Sequence, residues 1–501
     1  MIAWIRQKWQ QKIQQAVNLA YTSAGRGRRS QGWSAPQSGP NNALTGNMGT
    51  LINRSRAAIR NDPWAASGLE KLVSNIVGTG IKPKSEATDD SVRRDLQQLF
   101  LDWTDESDAD GQLDFYGQQS LAARAMLEAG ECFIRLRPRR PEDGLSVPLQ
   151  LQLLEAEFVP WDYNDDLKNG HAIRAGIELD QLGRRVAYWM HKTHPHDYTI
   201  LDTANLRRIP AEEVLHLYEP LRPGQLRGQP VLTQVLLRMH HLDKFDDATL
   251  LRQEIANLFT GFITKPAPEQ ERVDPLTGRP IVYDLQGVPM VGMEPGTMQE
   301  LSPGEEIVFN TPPGAASDYP DFIRQQLMAV SAGIGLPFEL LSGDMKGVSD
   351  RALRVVLNEF RRRIQQLQHN QLVFQLCRPV WNRWLELAVL SGDISAPNYH
   401  NKPNDYRRVK WIPHGWAYIH PVQDMQAQAL AVRNGYKSRS EVVSEQGYDS
   451  EEVDAEIAAD NRRADALALQ YDSDARQPET PQPEQPLSES LKEEPADESN
   501  Q

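Results

Sequence analysis

Between Pro230 and Thr260 the chain runs without a single proline or glycine. Val231, Val235, Met239, Leu242, Leu250 and Leu258 recur there at mostly helical spacings, so a helix of about 45 Å is expected. That is well over twice the length of an average globular helix, too long to be swallowed by one small core. A turn-rich insert follows, with Pro266, Pro268, Asp274-Pro275, Gly278, Pro280, Gly287, Pro289, Gly292, Pro295-Gly296 and Pro303-Gly304, and a second helical pattern runs from Asp318 to Leu336. A long helix, a small insert and a returning helix make a stalk with a tip.

The rest of the chain must supply the body that carries this stalk. With 501 residues and 40% of them hydrophobic, there is enough apolar surface for about two to four folding units. No run reaches the roughly 18 to 20 apolar residues needed to span a bilayer, and the start lacks the continuous apolar stretch of a signal peptide, so a soluble protein is expected. Cys132 and Cys377 fall inside a strand-like and a helix-like segment and read as small buried hydrophobes in a reducing compartment.

The net charge of −14 is unevenly spread. Residues 1–61 hold no Asp or Glu but nine bases: Arg6, Lys8, Lys12, Arg26, Arg28, Arg29, Arg54, Arg56 and Arg60. Ile2, Ile5, Trp9, Ile13, Val17 and Leu19 give the first part an amphipathic helical pattern, open to three readings: docking on a neighbouring subunit, contact with a polyanion, or targeting and membrane contact. At the other end, residues 471–501 carry nine carboxylates against Arg476 and Lys492, half of the whole excess of −14. With its prolines and few apolar residues that tail is expected to be disordered.

Between these ends the fold class reads as α+β. Helical patterns cover residues 63–76, 92–104 and 115–130, with a glycine stop at Gly78 and Gly80. Strand patterns cover residues 131–136, 149–153, 172–179, 186–190 and 214–218. Glu106, Asp108, Asp110 and Gly111 imitate the first half of a calcium loop, but Gly117 stands where a closing Glu is required. His191, His194, His196 and Asp197 are close in sequence, yet Pro195 interrupts them and no second cluster supplies partners for a metal. On the long helix, His240 can meet Asp243, and Asp243 can meet Asp247, which reads as a polar face rather than a two-metal centre. Nucleophile elbows, phosphate loops, dinucleotide turns and HExxH pairs are all missing from the sequence, so neither an enzyme nor a cofactor is expected.

A second long helical run spans residues 348–390, with Pro379 as a kink and Arg351, Arg354, Arg361, Arg362 and Arg363 making its first half basic. Before it come Gly333-Ile334-Gly335-Leu336-Pro337 and Ser342-Gly343-Asp344-Met345-Lys346-Gly347, a glycine-rich loop with one lysine.

Several segments, taken in order, resemble the tailed-bacteriophage portal proteins of the lambda family. They are Arg60-Asn61-Asp62-Pro63-Trp64-Ala65 with Ile76-Val77-Gly78 and Gly80; Asp108 to Gly111 leading to Glu128-Ala129-Gly130-Glu131; Arg222 to Gly228; Ser302-Pro303-Gly304-Glu305; and Gly333 to Leu341 followed by Ser349 to Leu353. The stretch they bracket covers residues 51–470.

The resemblance implies a phage portal fold: a mixed α/β wing, a two-helix stem, a small α/β clip and a helical crown. Carried onto this chain it places a basic arm at 1–60, the wing at 61–229, the stem at 230–265 and 318–336, the clip at 266–317, a channel loop at 337–350, a long helix and wing return at 351–420, the crown at 421–470 and the acidic tail at 471–501. It implies a ring, usually a dodecamer, at one capsid vertex of the virion, assembled in the bacterial host cytoplasm, through which double-stranded DNA is packaged and ejected. Implied partners are the terminase large subunit, major capsid and scaffold proteins, and a head–tail adaptor, with no membrane. A strongly basic channel would grip DNA, so the acidic balance suits a conduit. Ser342, Gly343, Met345, Lys346 and Gly347 are then the DNA-channel loop, with Lys346 touching phosphates; Asp243, Lys244, Asp246, Asp247 and Arg324 are stem charges at the lumen or at subunit contacts. Two rivals remain, another head–tail adaptor and a metal-dependent DNA-processing enzyme.

Overall fold

The computed structural model describes residues 37–197, 206–258, 319–397 and 399–471, the short pieces 262–264, 278–279, 282–283, 289–290 and 299–301, and positions 474 and 476. The amphipathic start at Ile2 to Leu19, most of the insert at 266–317 and nearly all of the acidic tail lie outside the described residues. The chain divides into two compact units, Met1–Pro413 and His414–Gln501.

The first unit begins with α1 (Pro40–Thr45), α2 (Met48–Asn61) and α3 (Pro63–Ile76). Asp62 starts α3: its carboxylate accepts from the backbone N–H of Trp64 at 2.8 Å and of Ala65 at 3.1 Å, while Pro63 fills the first helical position, where no N–H is needed. The α2 helix lies within the stretch read as a basic arm, yet it buries Met48, Ile52, Ser55 and Ile59 against α3 and against α5 (Phe115–Ala129). Between them come β1 (Lys82–Ser85) and α4 (Asp90–Thr104).

Two antiparallel sheets follow. β2 (Glu131–Pro138) sits between β3 (Leu149–Leu154) and β9 (Val214–Tyr218), and β4 (Asp165–Asp166), β5 (Ala172–Arg174), β6 (Ile177–Leu179), β7 (Arg185–Met190) and β8 (Arg207–Pro210) form a five-stranded sheet in sequence order. Phe133, Leu154, Val159, Ile177, Tyr188, Met190, Ile209 and Val214 make one buried cluster that joins the two sheets. At about 1.5–3 kcal/mol for each large side chain buried, this cluster is a main source of the body's stability. The pattern at 172–179 reads as a single strand but is a hairpin, β5 and β6, because Ala175 and Gly176 both adopt positive φ, 50° and 78°.

α6 (Leu236–Leu258) is preceded by a single 3-10 turn, Val231–Gln234, so the regular helix starts later than its sequence pattern. The described pieces of the insert are short strands: β10 (Phe262–Thr264) runs parallel to β13 (Gln299–Leu301), and β11 (Val282–Tyr283) antiparallel to β12 (Pro289–Met290). The chain returns through α7 (Tyr319–Ile334), α8 (Phe338–Ser342) and α9 (Asp350–Leu367), passes ten residues of π-helix (Gln368–Cys377), and enters α10 (Arg378–Ser391). Pro379, which has no N–H to give and a ring that crowds the carbonyl four residues back, lies just past the π stretch, where Arg378 N–H reaches back five residues to Val373 O. α10 then drives Trp381 and Trp384 against Phe100, 5.0 Å from each ring, with Trp103 and Phe115 completing a buried aromatic cluster. After α11 (Pro403–Arg407), β14 (Val409–Ile412) pairs antiparallel with β1 and brings the far end of the unit back to its beginning.

The second unit holds α12 (Pro421–Arg433), α13 (Arg439–Glu445) and α14 (Ser450–Ala466), with Ser438 and Asp449 capping the last two. Its described helices bury only Ser450 and Ala464, while Val422, Met425, Leu430, Tyr436 and Ile457 stand exposed. Helices with so little covered apolar surface are expected to find it on another molecule.

Candidate functional site

The junction between the sheets and α6 is built on a buried charge cluster. Arg227 is fully buried, and each of its guanidinium N–H groups has an acceptor among Glu131 and the carbonyls of Ala156, Val159 and Ala175. Glu131 also accepts from the Gly228 backbone N–H at 2.9 Å and pairs with His216 Nε2 at 2.9 Å. His216 Nδ1 lies 2.9 Å from Arg185, which can only donate, so Nδ1 is the acceptor and the proton sits on Nε2. Burial alone would raise the Glu131 pKa, but Arg227 and His216 outweigh it and hold it down to about 2. Burial pushes His216 down to about 4, against the pull of Glu131, which keeps the ring neutral. Two glycines close the joint: a β-carbon on Gly228 would stand 1.9 Å from Gly130 O, and one on Gly130, whose φ is 93°, would stand 2.5 Å from Gln229.

From this joint α6 packs on α7 through Leu242 and Leu327, with Phe338 of α8 in the same cluster and Trp64 and Ile323 flanking it. The approach is close because Gly333 has no side chain; a β-carbon there would fall 2.3 Å from Val235 Cγ1. Of the stem charges expected from sequence, Asp243, Lys244 and Asp247 are exposed and Asp246 is half-buried. The Tyr319 hydroxyl donates to Asp246 at 2.9 Å, and burial together with that carboxylate raises the tyrosine's pKa. Burial, resisted by the two N-cap bonds and reinforced by Asp243 and Asp246, raises the pKa of Asp62, so three carboxylates share one field where the end of α2 meets α6. Arg324, the fifth expected residue, lies elsewhere: it points from α7 into the loop, with its guanidinium 5.3 Å from the Phe338 ring centre.

In that loop Asp344 is the organiser. One carboxylate oxygen accepts from Arg324 at 3.0 Å and the other from the Lys346 backbone N–H at 2.9 Å, while Ser342 Oγ accepts from the Asp344 N–H at 3.1 Å. Gly343 and Gly347 take positive φ, 72° and 76°. Met345, Lys346 and Gly347 are exposed, Ser342 is half-buried, and the Lys346 ammonium has no carboxylate partner among the described residues. Ser349 then caps α9 by accepting from Ala352 N–H at 3.3 Å. The basic first half of this helix is partly answered by Glu359, 2.9 Å from Arg362, and by Glu219 at Arg363.

The loop therefore offers an exposed lysine on a backbone fixed from both sides, which suits transient contact with an anion. Asp344, Tyr319 and Asp62 are partners that sequence did not single out; the spacing of Asp344 from Ser342 and Lys346 is the one local signal that was available.

The metal-like patterns are accounted for by other bonds. Asp108 accepts from the backbone N–H groups of Asp110, Gln112 and Leu113 and from the Gln118 amide. His194 comes within reach of Glu155 and Glu157, but Arg56 already pairs with both carboxylates. On its other nitrogen His194 accepts from the His196 backbone N–H at 3.3 Å and lies 3.6 Å from Asp197, while His191 is not part of the group. Cys132 and Cys377 are buried free thiols, and burial pushes Cys132 up to about 12.

Relatives of this chain are found among phage proteins. The sequence profile of the phage portal protein, lambda family, matches residues 26–368. A probable portal protein of Halomonas phage phiHAP-1 is 26% identical over 436 residues, covering 84% of this chain and 81% of its own. Portal protein B of Escherichia phage lambda is 22% identical over 329 residues, covering 59% of each. Among solved structures, a chain from the neck of a native GTA particle aligns with a TM-score of 0.43 and 13% identity over 84% of this chain and 97% of its own.

Proposed function

The chain belongs to the lambda family of phage portal proteins, and from that premise we infer how its parts serve a ring at the capsid vertex. Portal proteins are structural rather than enzymatic: they form the passage through which viral DNA is packaged and ejected. The reading for this chain assigns the stem to α6 and α7, the clip to the insert at 266–317, the wing to the two sheets with α3 to α5 and the return at 351–420, and the crown to α12 to α14. The channel loop is 337–350, with Lys346 its single contact to passing phosphates and no sequence readout.

The observation that carries the loop assignment is the arrangement around Asp344. Arg324 and the Lys346 N–H both end on this carboxylate, so the loop is braced while its lysine stays exposed. A single cation per subunit gives a conduit something to touch without gripping it, since duplex DNA carries one charge per roughly 1.7 Å and multiple strong contacts would arrest it. Asp243, Lys244, Asp246 and Asp247 face the lumen or a neighbouring subunit in this reading. The exposed apolar side chains of the crown helices meet their counterparts on neighbouring copies.

Twelve subunits, docking of the terminase large subunit and then a head–tail adaptor, contact with major capsid and scaffold proteins, and assembly in the host cytoplasm complete the proposal. Among the described residues no helix is long and apolar enough to cross a membrane. Electron microscopy of the purified protein, with mass measurement of the same sample, tests it. Closed rings of about twelve copies around a bore that admits the roughly 20 Å duplex support the reading, and a monomer or dimer that persists at high concentration with scaffold present would sink it.

A further inference from the structure

A separate concentration of charge lies on β2, outside the loop and the stem. Arg135, Arg137 and Arg139 alternate along this strand and the residue after it, so they share one face and repeat about every 6.7 Å. On β3, directly alongside, Gln152 accepts from Arg137 at 2.7 Å and Gln150 from Arg139 at 2.8 Å. Glutamate at those two positions would make ion pairs. Glutamine holds each guanidinium in place and adds no negative charge beside it.

This face opens onto a cleft of about 340 Å³ between the two sheets. Arg135, Arg137, Lys192 and Arg207 line it, Phe158 and Met190 are among its apolar residues, and no carboxylate contributes to its described lining. Lys192 and Arg207 are exposed and have no ion pair among the described residues. Arg135 has only Glu213, at 3.8 Å, and its buried Nε has no hydrogen-bond partner. Burial, Arg135 and Arg139 lower the pKa of Arg137 and outweigh the opposing pull of Asp110, as expected for like charges held together.

We propose that this cleft binds the phosphate groups of a DNA strand, through Arg135, Arg137, Lys192 and Arg207, without reading its sequence. The guanidinium fork matches phosphate oxygens in pairs, and an evenly spaced ladder suits a polymer whose charge is evenly spaced. An acidic peptide would have to bring its carboxylates into the same register. The portal reading enters only as the reason DNA is at hand. The site is distinct from Lys346 and gives the protein a second hold on nucleic acid, outside the loop.

The test is binding of a fluorescent duplex of about 20 base pairs to the full-length protein across roughly 50 to 200 mM salt. Gln152→Glu sets a carboxylate beside Arg137 without removing any packing, and should weaken binding about three- to tenfold while leaving the melting temperature unchanged or higher. Arg137→Gln with Lys192→Gln and Arg207→Gln should lower the slope of log affinity against log salt by about two to three. Both effects should persist in a Lys346→Gln background, and ring formation, read in parallel by microscopy, separates a failed ring from a failed site. Unchanged affinity and slope in stably folded variants would overturn the proposal. So would equal, variant-sensitive binding of polyglutamate, which reassigns the cleft to an acidic protein segment, or displacement of the duplex by inorganic phosphate at matched ionic strength and equal phosphate, which reduces it to a simple anion site.

Discussion

Arg324 and Asp344 meet at 3.0 Å across the bend between α7 and α9, and the same carboxylate holds the Lys346 backbone. Both side chains are about a third exposed, so the pair is worth little to global stability, on the order of 0.2–1 kcal/mol. Its effect is local. Arg324→Ala should accelerate amide exchange and protease cleavage at 343–348 and leave the melting temperature nearly unchanged; protection equal to wild type there would remove the brace.

Removing the charge at the loop's tip is a separate question from removing its brace. Lys346→Ala is expected to leave ring assembly intact and to alter packaging yield or retention of the genome. Unchanged packaging and retention would strip Lys346 of any role.

Arg227 behaves oppositely to Arg324 because nothing solvates what it leaves behind. Arg227→Met strands Glu131 in the interior and should destabilise the first unit by about 3–5 kcal/mol in equilibrium unfolding. Adding Glu131→Leu and His216→Leu should recover a large part of that loss, since the isolated charge, rather than the missing attraction, is what costs.

The same cluster makes stability depend on pH in a defined direction. His216 has a folded value of about 4, below its ordinary 6.5, so its contribution is complete above 6.5 and is lost as pH falls towards 4. Glu131, held at about 2 against an ordinary 4.5, adds a further loss below 4.5. Denaturation midpoints should therefore fall steadily below pH 6.5. His216→Gln, which keeps one donor for Glu131 and one acceptor for Arg185, should flatten the upper part of that fall; a profile identical to wild type would mean another group is titrating.

Where Val235, just ahead of α6, meets α7, Gly333→Ala should cost about 1–3 kcal/mol through the collision with Val235. Val235→Ala in the same chain should return most of it. Additive losses in the double variant would show that the two positions do not touch.

Much of the fold was legible because its signals are local. The apolar periodicity over 63–76 announced α3, the tract free of proline and glycine announced α6, and strand patterns announced β2, β3 and β9. The hairpin at Ala175-Gly176 was read as continuous strand, since its turn depends on Gly176 lying against Val159 and Pro160, a contact made by distant chain. The α2 helix was hidden in a basic stretch because one of its buried positions is Ser55, whose hydroxyl donates to Glu128 O at 2.7 Å. Of the candidate site, Lys346 and the stem charges were named from sequence. The pairings Arg324–Asp344 and Tyr319–Asp246 needed the helices placed first, and the neutral glutamines that hold Arg137 and Arg139 mean nothing until β3 is known to lie beside them.

The joint of Gly130 and Gly228 sets a tolerance for the whole machine. α6 is about 34 Å long, so a side chain at either glycine that tilted it by about 10° would sweep its far end by roughly 6 Å. In a closed ring every copy would swing alike, and the bore would change by about twice that, comparable to half the width of the duplex it must admit. On the proposed assignment of α6 to the stem, the calibre of the passage would be held by two hydrogen atoms, at positions 98 residues apart in sequence, that no other residue type can supply.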